Sequence, residues 1–554
     1  MIISSSNISM ASSRSFSTEM NDKFVSVRGN EVSAYESSSS RKGSSMQFSD
    51  VLNSDIKTIL IRTEQNAAHA ASGYARVTGK VGVCAVTSGP GATNLITGVA
   101  TAFADSIPLV CITGQVKTDQ LGSDVFQEAD ITGAVESFVK YSYLIKDVKD
   151  IPRVFKEAFY IANTGRKGPV LIDIPFDIQN ATIRDFEYPA EIKLRTYKPT
   201  IKGNALQIKK VIKELESAKR PLICAGGGIL LSHAQKELRE LVAEFQIPIV
   251  STMMGISAMS SDNPLYFGMV GNNGYPWANR AMKEADLIIM IGARVADRAV
   301  NKTETITENT VLVHIDVDSA EIGKNAGPNI PIVGDAKSIL SDLLEYEMDG
   351  DFSNWIKTLN GYKKEMAIKR EKHPGFVDPA LLITKLSDKM KDDGIYVADV
   401  GQNQIWSCKY HKVKNGRFLT SGGMGTMGYS IPAAMGAKLA KPKAQVIAVC
   451  GDGSFQMSMM ELATMRQHGA NVKIVVLKNN YLGMVRQYQH FTYKDKYSVV
   501  DLDGSPDLEK LVSAYDMKFV RVSNDKEIDG AIEEFLAKDE SYLMEVLIDP
   551  MDLV

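Results

Sequence analysis

Cysteine is scarce in this chain. The five residues, Cys84, Cys111, Cys224, Cys408 and Cys450, are scattered and form no CxxC pair. That excludes a zinc cage or a disulfide framework as the source of stability, and it suits a reducing compartment. Net charge is nearly absent too: 63 Lys and Arg oppose 66 Asp and Glu, for a formal charge of -3. With no sustained basic block, a nucleic-acid partner is not expected. Long apolar runs are missing as well. Those present, such as Leu287–Ile291, are of strand length, so neither a transmembrane helix nor a membrane partner is expected. The amino-terminal region shows no apolar core of a secretory signal, and a cytoplasmic location is the expectation.

What is present is a chain of 554 residues, too long for one core, so roughly two to four domains are expected. Its 44% hydrophobic and 23% charged residues are ordinary soluble usage. Residues 1–46 are rich in Ser and poor in apolar periodicity, as disordered segments are. Within them no acid precedes Arg14-Ser15-Phe16-Ser17, so an organellar presequence, mitochondrial or plastid, is the alternative reading. From about residue 55 onward, β-branched strand runs alternate with helical patterns, the mark of parallel sheets covered by helices. The first block offers strands at 56–62, 81–87, 108–113 and 170–174, with a helix over Glu64–Thr78. A linker rich in Lys and Pro near 193–203 closes it. The second offers Pro221–Ala225, 247–252, Leu287–Ile291 and 311–317; the third, 394–400, 445–450, 472–477 and 542–548. The fold class is therefore α/β, with three doubly wound parallel-sheet domains over 47–190, 200–345 and 375–554. Ligands belong at the carboxyl ends of such strands.

The most informative stretch runs from Val446 to Met484. A strand ends in Gly451-Asp452-Gly453-Ser454, a helix-like segment follows, and a second strand runs into Asn479-Asn480, 27 positions beyond Asp452. A strand–helix–strand unit brings two such strand ends together. A hard divalent cation wants oxygen ligands, here a carboxylate, an amide oxygen, a backbone carbonyl and phosphate oxygens. Glycines beside the acid let backbone approach phosphate closely. The bland alternative is a plain β-turn. The pairing with Asn479 favours the phosphate site. Glu64 likewise has two readings, a first-turn acid that complements the helix dipole or a catalytic carboxylate.

Three segments decide between them. The run Glu64-Gln65-Asn66-Ala67-Ala68-His69-Ala70-Ala71-Ser72-Gly73-Tyr74-Ala75-Arg76 resembles the EQ…AAxxAxGYARxTGK segment of the acetolactate (acetohydroxyacid) synthases, a thiamine-diphosphate-dependent family. Ser88-Gly89-Pro90-Gly91-Ala92-Thr93-Asn94 follows at the family's place, and Gly451-Asp452-Gly453 with Asn479 resembles its cofactor motif. The likeness covers about 48–548. It implies a pyrimidine-binding domain, a central FAD-binding-like domain and a diphosphate and Mg²⁺-binding domain. By that resemblance Asp452, Asn479 and the carbonyl of Tyr481 bind Mg²⁺, while Gly451, Gly453 and Ser454 line the diphosphate. Glu64 meets the aminopyrimidine ring. Ser421-Gly422-Gly423-Met424-Gly425-Thr426-Met427-Gly428 is similar to the pyrimidine-cradling loop, with Gly425 at the cofactor and Met427 as its wedge. Segments 113–116 and 126–130, the latter with Gln127, match substrate-side loops. Arg166, Gly227, Gly271, Gly292, Arg294, Asp316 and Asp335 match FAD contacts. Arg298 matches the group that meets the second substrate's carboxylate, a role that suits a planar guanidinium. Met484 and Tyr488 fall in the acceptor wall.

The implied reaction decarboxylates pyruvate and joins the two-carbon remainder to pyruvate or 2-ketobutyrate, for branched-chain amino-acid synthesis. Implied partners are a second copy, as homodimer or homotetramer, and a small regulatory subunit. The chain departs from the family pattern in four places. Residues 1–46 hold no GYPGG loop, Phe176 replaces the Lys of IPKD, Asn272-Asn273 replaces Met-His, and Tyr488 replaces Trp. The first change touches the first domain's sheet and the cap over the thiazolium, the other three the channel and acceptor wall. They leave open another thiamine-diphosphate decarboxylase or acyltransferase, or a non-catalytic paralogue.

Overall fold

The computed structural model describes residues 2–4, 56–183, 186–299, 306, 310–371 and 373–554. Its strands come from short runs of β-branched and aliphatic residues. Leu287–Ile291, for example, is buried at every position, as expected where helices cover both faces of a parallel sheet. The first sheet holds β1 (Ile2–Ser4), β2 (Ile59–Ile61), β3 (Gly82–Val86), β4 (Leu109–Gln115), β5 (Tyr141–Leu144) and β6 (Pro169–Pro175), in the order β2-β1-β3-β4-β6-β5. The second holds β7 (Pro221–Ala225), β8 (Ile249–Ser251), β9 (Tyr266–Met269), β10 (Leu287–Ile291), β11 (Val311–Asp316) and β12 (Ile330–Val333), ordered β12-β11-β10-β7-β8-β9. The third holds β13 (Ile395–Ala398), β14 (Arg417–Leu419), β15 (Val446–Gly451), β16 (Lys473–Lys478), β17 (Lys518–Val522) and β18 (Tyr542–Leu547), ordered β14-β13-β15-β16-β18-β17.

Every pairing in the three sheets is parallel. Counted within each sheet, the first and third share the order 2-1-3-4-6-5, whereas the second runs 3-2-1-4-5-6, the dinucleotide-binding order. The doubly wound α/β class read from the sequence is what the chain adopts. One expectation needs correction. The composition of residues 1–46 predicts no regular structure there, yet Ile2–Ser4 forms a strand between β2 and β3, with Ile2 opposite Ile59 and Cys84. Three residues are too few for periodicity to register. The rest of that segment, including Arg14-Ser15-Phe16-Ser17, lies outside the described residues.

Contacts divide the chain into two compact units. One comprises Met1–Lys198, Gly423–Lys443 and Phe455–Val472; the other comprises Pro199–Gly422, Ala444–Ser454 and Lys473–Val554. The first unit is built around helix Glu64–Thr78. Thr63 enters it extended, Glu64 supplies the first-turn acid, and Gly79 ends it at φ 73° with its N–H on the Ala75 carbonyl. Small residues run along this helix and along Ser430–Ala440, and they let the two backbones nearly touch. A Cβ on Gly73 would stand 1.9 Å from the Ala433 carbonyl oxygen, and one on Gly436 would stand 1.9 Å from that of Ala70. In the second unit the third sheet packs around Tyr396, Trp406 and Phe535, all buried. Among the described residues no helix is long and apolar enough to cross a membrane.

This close crossing gives a direct prediction. Gly73→Ala should lower stability by about 3 kcal/mol, since backbone cannot yield to the new methyl group. Gly361→Ala, inside the exposed face of helix Ser353–Glu365 with open space around it, should raise stability by about 0.5–1 kcal/mol. Urea denaturation midpoints of the two variants check both signs.

Candidate active site

The third sheet reverses direction of growth between β13 and β15, and in an open parallel sheet that is where two strand ends part to leave a crevice. Asp399-Val400-Gly401 leaves β13, and Asp452-Gly453-Ser454 leaves β15. Asn403 Nδ2 donates to the carbonyls of Asp399 at 2.8 Å and Val449 at 3.2 Å, and Ser454 Oγ donates to that of Val400 at 3.1 Å. The two ends are thereby laced together. β16 then ends at Lys478, and Asn479-Asn480-Tyr481 turns across toward β15. Asn480 takes a left-handed φ of 59°, which aims its N–H at Asp452 Oδ2, 2.6 Å away. Gly453 N–H donates to Oδ1 at 3.1 Å, and Asn479 Oδ1 accepts the Tyr481 N–H at 3.0 Å. The turn Asn479-Asn480-Tyr481 is thereby tied to Asp452, which Gly451, Gly453 and Ser454 flank in the chain.

Asp452 is buried. Burial pushes its carboxyl up to about 6, against the backbone N–H groups of Asn480 and Gly453, which favour the ionised form. Among the described residues no group of three His, Cys, Asp or Glu side chains could hold a metal ion by itself. A hard cation here must take oxygens from amide, carbonyl and ligand phosphate to complete its shell. Beyond Tyr481, helix Gly483–Tyr493 carries Met484, half-buried, and Tyr488, 59% exposed with its ring edge-on to Tyr493 at 5.9 Å. Arg486 anchors that helix. Its guanidinium lies 5.0 Å from the Tyr481 ring centroid and 4.3 Å from that of Tyr497, and it donates to the Pro550 carbonyl.

In the first unit, β2 delivers the chain through Thr63 to Glu64, buried in the opening turn of its helix. Asn94 Nδ2 donates to Glu64 Oε2 at 3.2 Å. Asn94 belongs to helix Pro90–Ala104, which starts at the Gly89-Pro90 turn after β3. Just before Glu64, the Arg62 N–H reaches the Glu461 carboxylate at 3.2 Å, and Asn66 Nδ2 reaches it at 3.0 Å. The loop at 423–428 hangs on the same helices. Asp105 accepts the Gly423 N–H at 2.6 Å, Arg76 braces Asp105 at 2.5 Å, and the Thr101 and Thr426 hydroxyls are 2.7 Å apart. Met427 is half-buried there, and Gly425, at φ 72°, has open space where a Cβ would stand. Gln127 sits against the Gly89 turn. Arg166 Nε donates to Ser106 Oγ at 3.0 Å, and Phe176 opens the short helix Phe176–Gln179 after β6.

The second sheet has its own reversal, between β7 and β10. Gly226-Gly227-Gly228 and Gly292-Ala293-Arg294 leave the two strands, packed backbone on backbone. Gly228 N–H donates to the Gly292 carbonyl at 2.9 Å, and a Cβ on Gly226 would stand 2.1 Å from that oxygen. Arg294 and Asp316 are half-buried at the ends of β10 and β11. Asp335 serves the local structure, because its Oδ1 caps helix Ala336–Leu343 by accepting the N–H groups of Lys337 and Ser338 at 3.0 and 3.2 Å. Gly271, at φ 110°, lets the Arg298 carbonyl oxygen come within 2.0 Å of where its Cβ would be, and Asn272 N–H donates to that oxygen at 3.1 Å. The Arg298 side chain is 80% exposed, 3.8 Å from the Asp297 carboxylate.

Asn94, Asp105, Asn403 and Glu461 do not stand out in the sequence, whereas the acid Asp173 of β6 does. Asn94 closes the Ser88–Asn94 segment without a signal of its own, and Asp173 has a usable one, an acid inside the apolar run Leu171-Ile172-Asp173-Ile174. Asp105 and Glu461 carry no local signal, because they meet Gly423 and Asn66 more than 300 positions away; Asn403 carries none although one of its acceptors, Asp399, is close in sequence.

Three family models match the chain in order: the thiamine pyrophosphate enzyme N-terminal TPP binding domain over 41–134, the central domain over 208–343 and the C-terminal TPP binding domain over 399–546. Thiamine pyrophosphate is another name for thiamine diphosphate. A relative from Methanococcus aeolicus, described as "Probable acetolactate synthase large subunit", is 44% identical over 92% of this chain and 88% of its own length. The acetolactate synthase large subunit of Lactococcus lactis is 42% identical over 90% of this chain and 87% of its own length. That of Haemophilus influenzae is 39% identical, covering 90% and 89%. With its three sheets, its paired strand-end crevices and this degree of identity across nearly the whole length, the chain belongs to the acetolactate synthase large subunits, a family of thiamine-diphosphate-dependent enzymes.

Proposed function

We propose that the β13–β15 crevice holds the diphosphate of thiamine diphosphate through Mg²⁺, with Asp452, Asn479 and the Tyr481 carbonyl as the protein's ligands. The observation that carries this is the contact of Asn480 N–H with Asp452 Oδ2, which brings the two strand ends to one point. The donor set fits the metal: one carboxylate with amide and carbonyl oxygens, left short of a full shell, suits a cation that arrives with phosphates. Gly451, Gly453 and Ser454 fit the diphosphate, since backbone and a small hydroxyl leave it room. When bound, the cofactor supplies the nucleophilic thiazolium carbon at which pyruvate gives up CO₂. Glu64, oriented by Asn94, holds or accepts a proton at the aminopyrimidine ring. Met427, borne by the loop that Thr426 and Gly423 fasten, supports the cofactor's bend, and Gly425 leaves it space.

On the substrate side, Gln127 faces the reacting keto acid and the Arg298 fork takes the carboxylate of the second one. Met484 and Tyr488 line the acceptor wall, and pyruvate and 2-ketobutyrate are the acceptors. The products, acetolactate and acetohydroxybutyrate, feed branched-chain amino-acid synthesis. Phe176, Asn272 and Tyr488 reshape the acceptor side, so preference between the two acceptors is where this chain should differ from relatives. The 3-2-1-4-5-6 order of the second sheet favours FAD at the β7–β10 crevice, with Gly227, Gly271, Gly292, Arg294 and Asp316 around it. The capping role of Asp335 puts it at the margin, and Arg166, which the family resemblance also assigns to FAD, belongs to the other compact unit. Relatives named as large subunits make a small regulatory subunit the expected partner, alongside assembly as a homodimer or homotetramer.

Two outcomes test this reading. Glu64→Gln, which keeps shape and removes the carboxylate, should cut kcat at least about a hundredfold while ThDP binding by calorimetry stays within a factor of two or so. Unchanged kcat would remove Glu64 from the chemistry. Burial pushes the Asp452 carboxyl up to about 6, and a proton there would compete with the cation. Below that pH the Mg²⁺ half-saturation for ThDP binding should rise about tenfold per pH unit, and above about pH 7 it should level off. A flat profile from acid to neutral would show that Asp452 is not a ligand.

A further inference from the structure

Asp173 is an acid inside a strand. It belongs to β6, is almost fully buried, and has no part in the cofactor scheme. Burial drives its carboxyl up to about 7, while hydrogen bonds from Thr113 and Gln115 pull the other way and Asp130 adds repulsion. An acid in such a place costs free energy and needs a reason. Its two partners supply one. Thr113 Oγ1 donates to Oδ1 at 2.7 Å, and Gln115 Nε2 donates to Oδ2 at 3.0 Å. Gln115 is itself buried at the end of β4, and the same Nε2 donates to the Ala129 carbonyl at 2.7 Å, while its Oε1 accepts the Val116 N–H at 2.9 Å. Every polar atom of that amide is engaged, so its orientation is set.

Ala129 lies two residues beyond Gln127. Gln127 takes a left-handed φ of 61°, a conformation that costs energy in any residue but glycine. It is pressed against Gly89, where a Cβ would lie 2.9 Å from the Gln127 Cβ and 3.0 Å from its carbonyl oxygen. The loop is tied on its other side by Glu128, whose carboxylate accepts the N–H groups of Gly122 and, at 3.2 Å, Val125. Asp130 closes it by capping helix Ile131–Ala134. Strain of this kind persists only where surroundings hold it.

We propose that Asp173 and Gln115 are positioning residues for Gln127: the Asp173 carboxylate orients the Gln115 amide, and that amide holds the 126–130 loop in its strained form against the Gly89 turn. This rests on reading the Gln127 loop as substrate-side. The two residues act in series, so removing either should release the same loop.

The test uses the full chain loaded with ThDP, Mg²⁺ and FAD. Gln115→Ala should raise the KM for pyruvate roughly five- to fiftyfold, the loss expected when a buried carbonyl forfeits its partner. ThDP half-saturation should stay within about twofold, because that site does not use the loop. Asp173→Ala should do the same, and Asp173→Asn, which keeps an acceptor oxygen for Gln115, should restore most of the loss. The double variant Q115A/D173A should be no worse than either single one. Hydrogen exchange at residues 127–129 should speed up in both alanine variants. The proposal is overturned if a folded Gln115→Ala enzyme keeps the wild-type KM, or if the two losses add. Gln127→Ala, measured alongside, separates the premise: if it leaves pyruvate kinetics unchanged, the substrate-side reading of the loop fails first.

Discussion

The proposed cofactor site depends first on one contact, the Asn480 N–H on the Asp452 carboxylate. It closes a strand–helix–strand unit by joining the residue after β15 to the turn after β16. A parallel sheet collects its carboxyl ends on one edge, and there the orphan N–H groups of helices and glycine turns are available to anions. Asn403 and Ser454 lace β13 to β15 at the same edge. Backbone N–H groups of Asn480 and Gly453 hold the Asp452 carboxylate, and burial raises that carboxyl to about 6.

The same logic recurs in the other two sheets with different chemistry. In the first, Glu64 is planted at a helix start and oriented by Asn94. The helices behind it approach so closely that glycine is required at Gly73 and Gly436. In the second, glycine turns after β7 and β10 pack backbone on backbone at the reversal. First and third sheets share one strand order without any repeat visible in their sequences. That order is complete only because Ile2–Ser4 enters the first sheet between β2 and β3.

Legibility follows burial. Helix Glu64–Thr78 and strands Pro221–Ala225 and Leu287–Ile291 can be read from sequence with the limits the structure gives, since each combines a continuous apolar pattern with clear stops. The strands that escape such reading, β5, β9, β12, β14 and β17, are all sheet edges, apart from the three-residue β1. An edge strand has a partner on one side only and is free to carry charge: Lys518 and Arg521 of β17 are exposed. At the sites, Asp452 and Asn479 are legible because their chemistry demands a fixed spacing. Asp105 and Glu461 are not, because each acts through a fold-made contact more than 300 positions away along the chain. Asp173 carries a further kind of signal, a polar residue whose cost only the fold can explain.

On the proposed function, this enzyme joins two keto acids rather than merely decarboxylating one. The direct measurement is product analysis of the ThDP, Mg²⁺ and FAD-loaded enzyme turning over pyruvate, with acetolactate, acetaldehyde and CO₂ quantified in the same reaction. Acetolactate and CO₂ in equal amounts, with acetaldehyde a minor product, is the expected result. Acetaldehyde as the main product, matching CO₂, would contradict it.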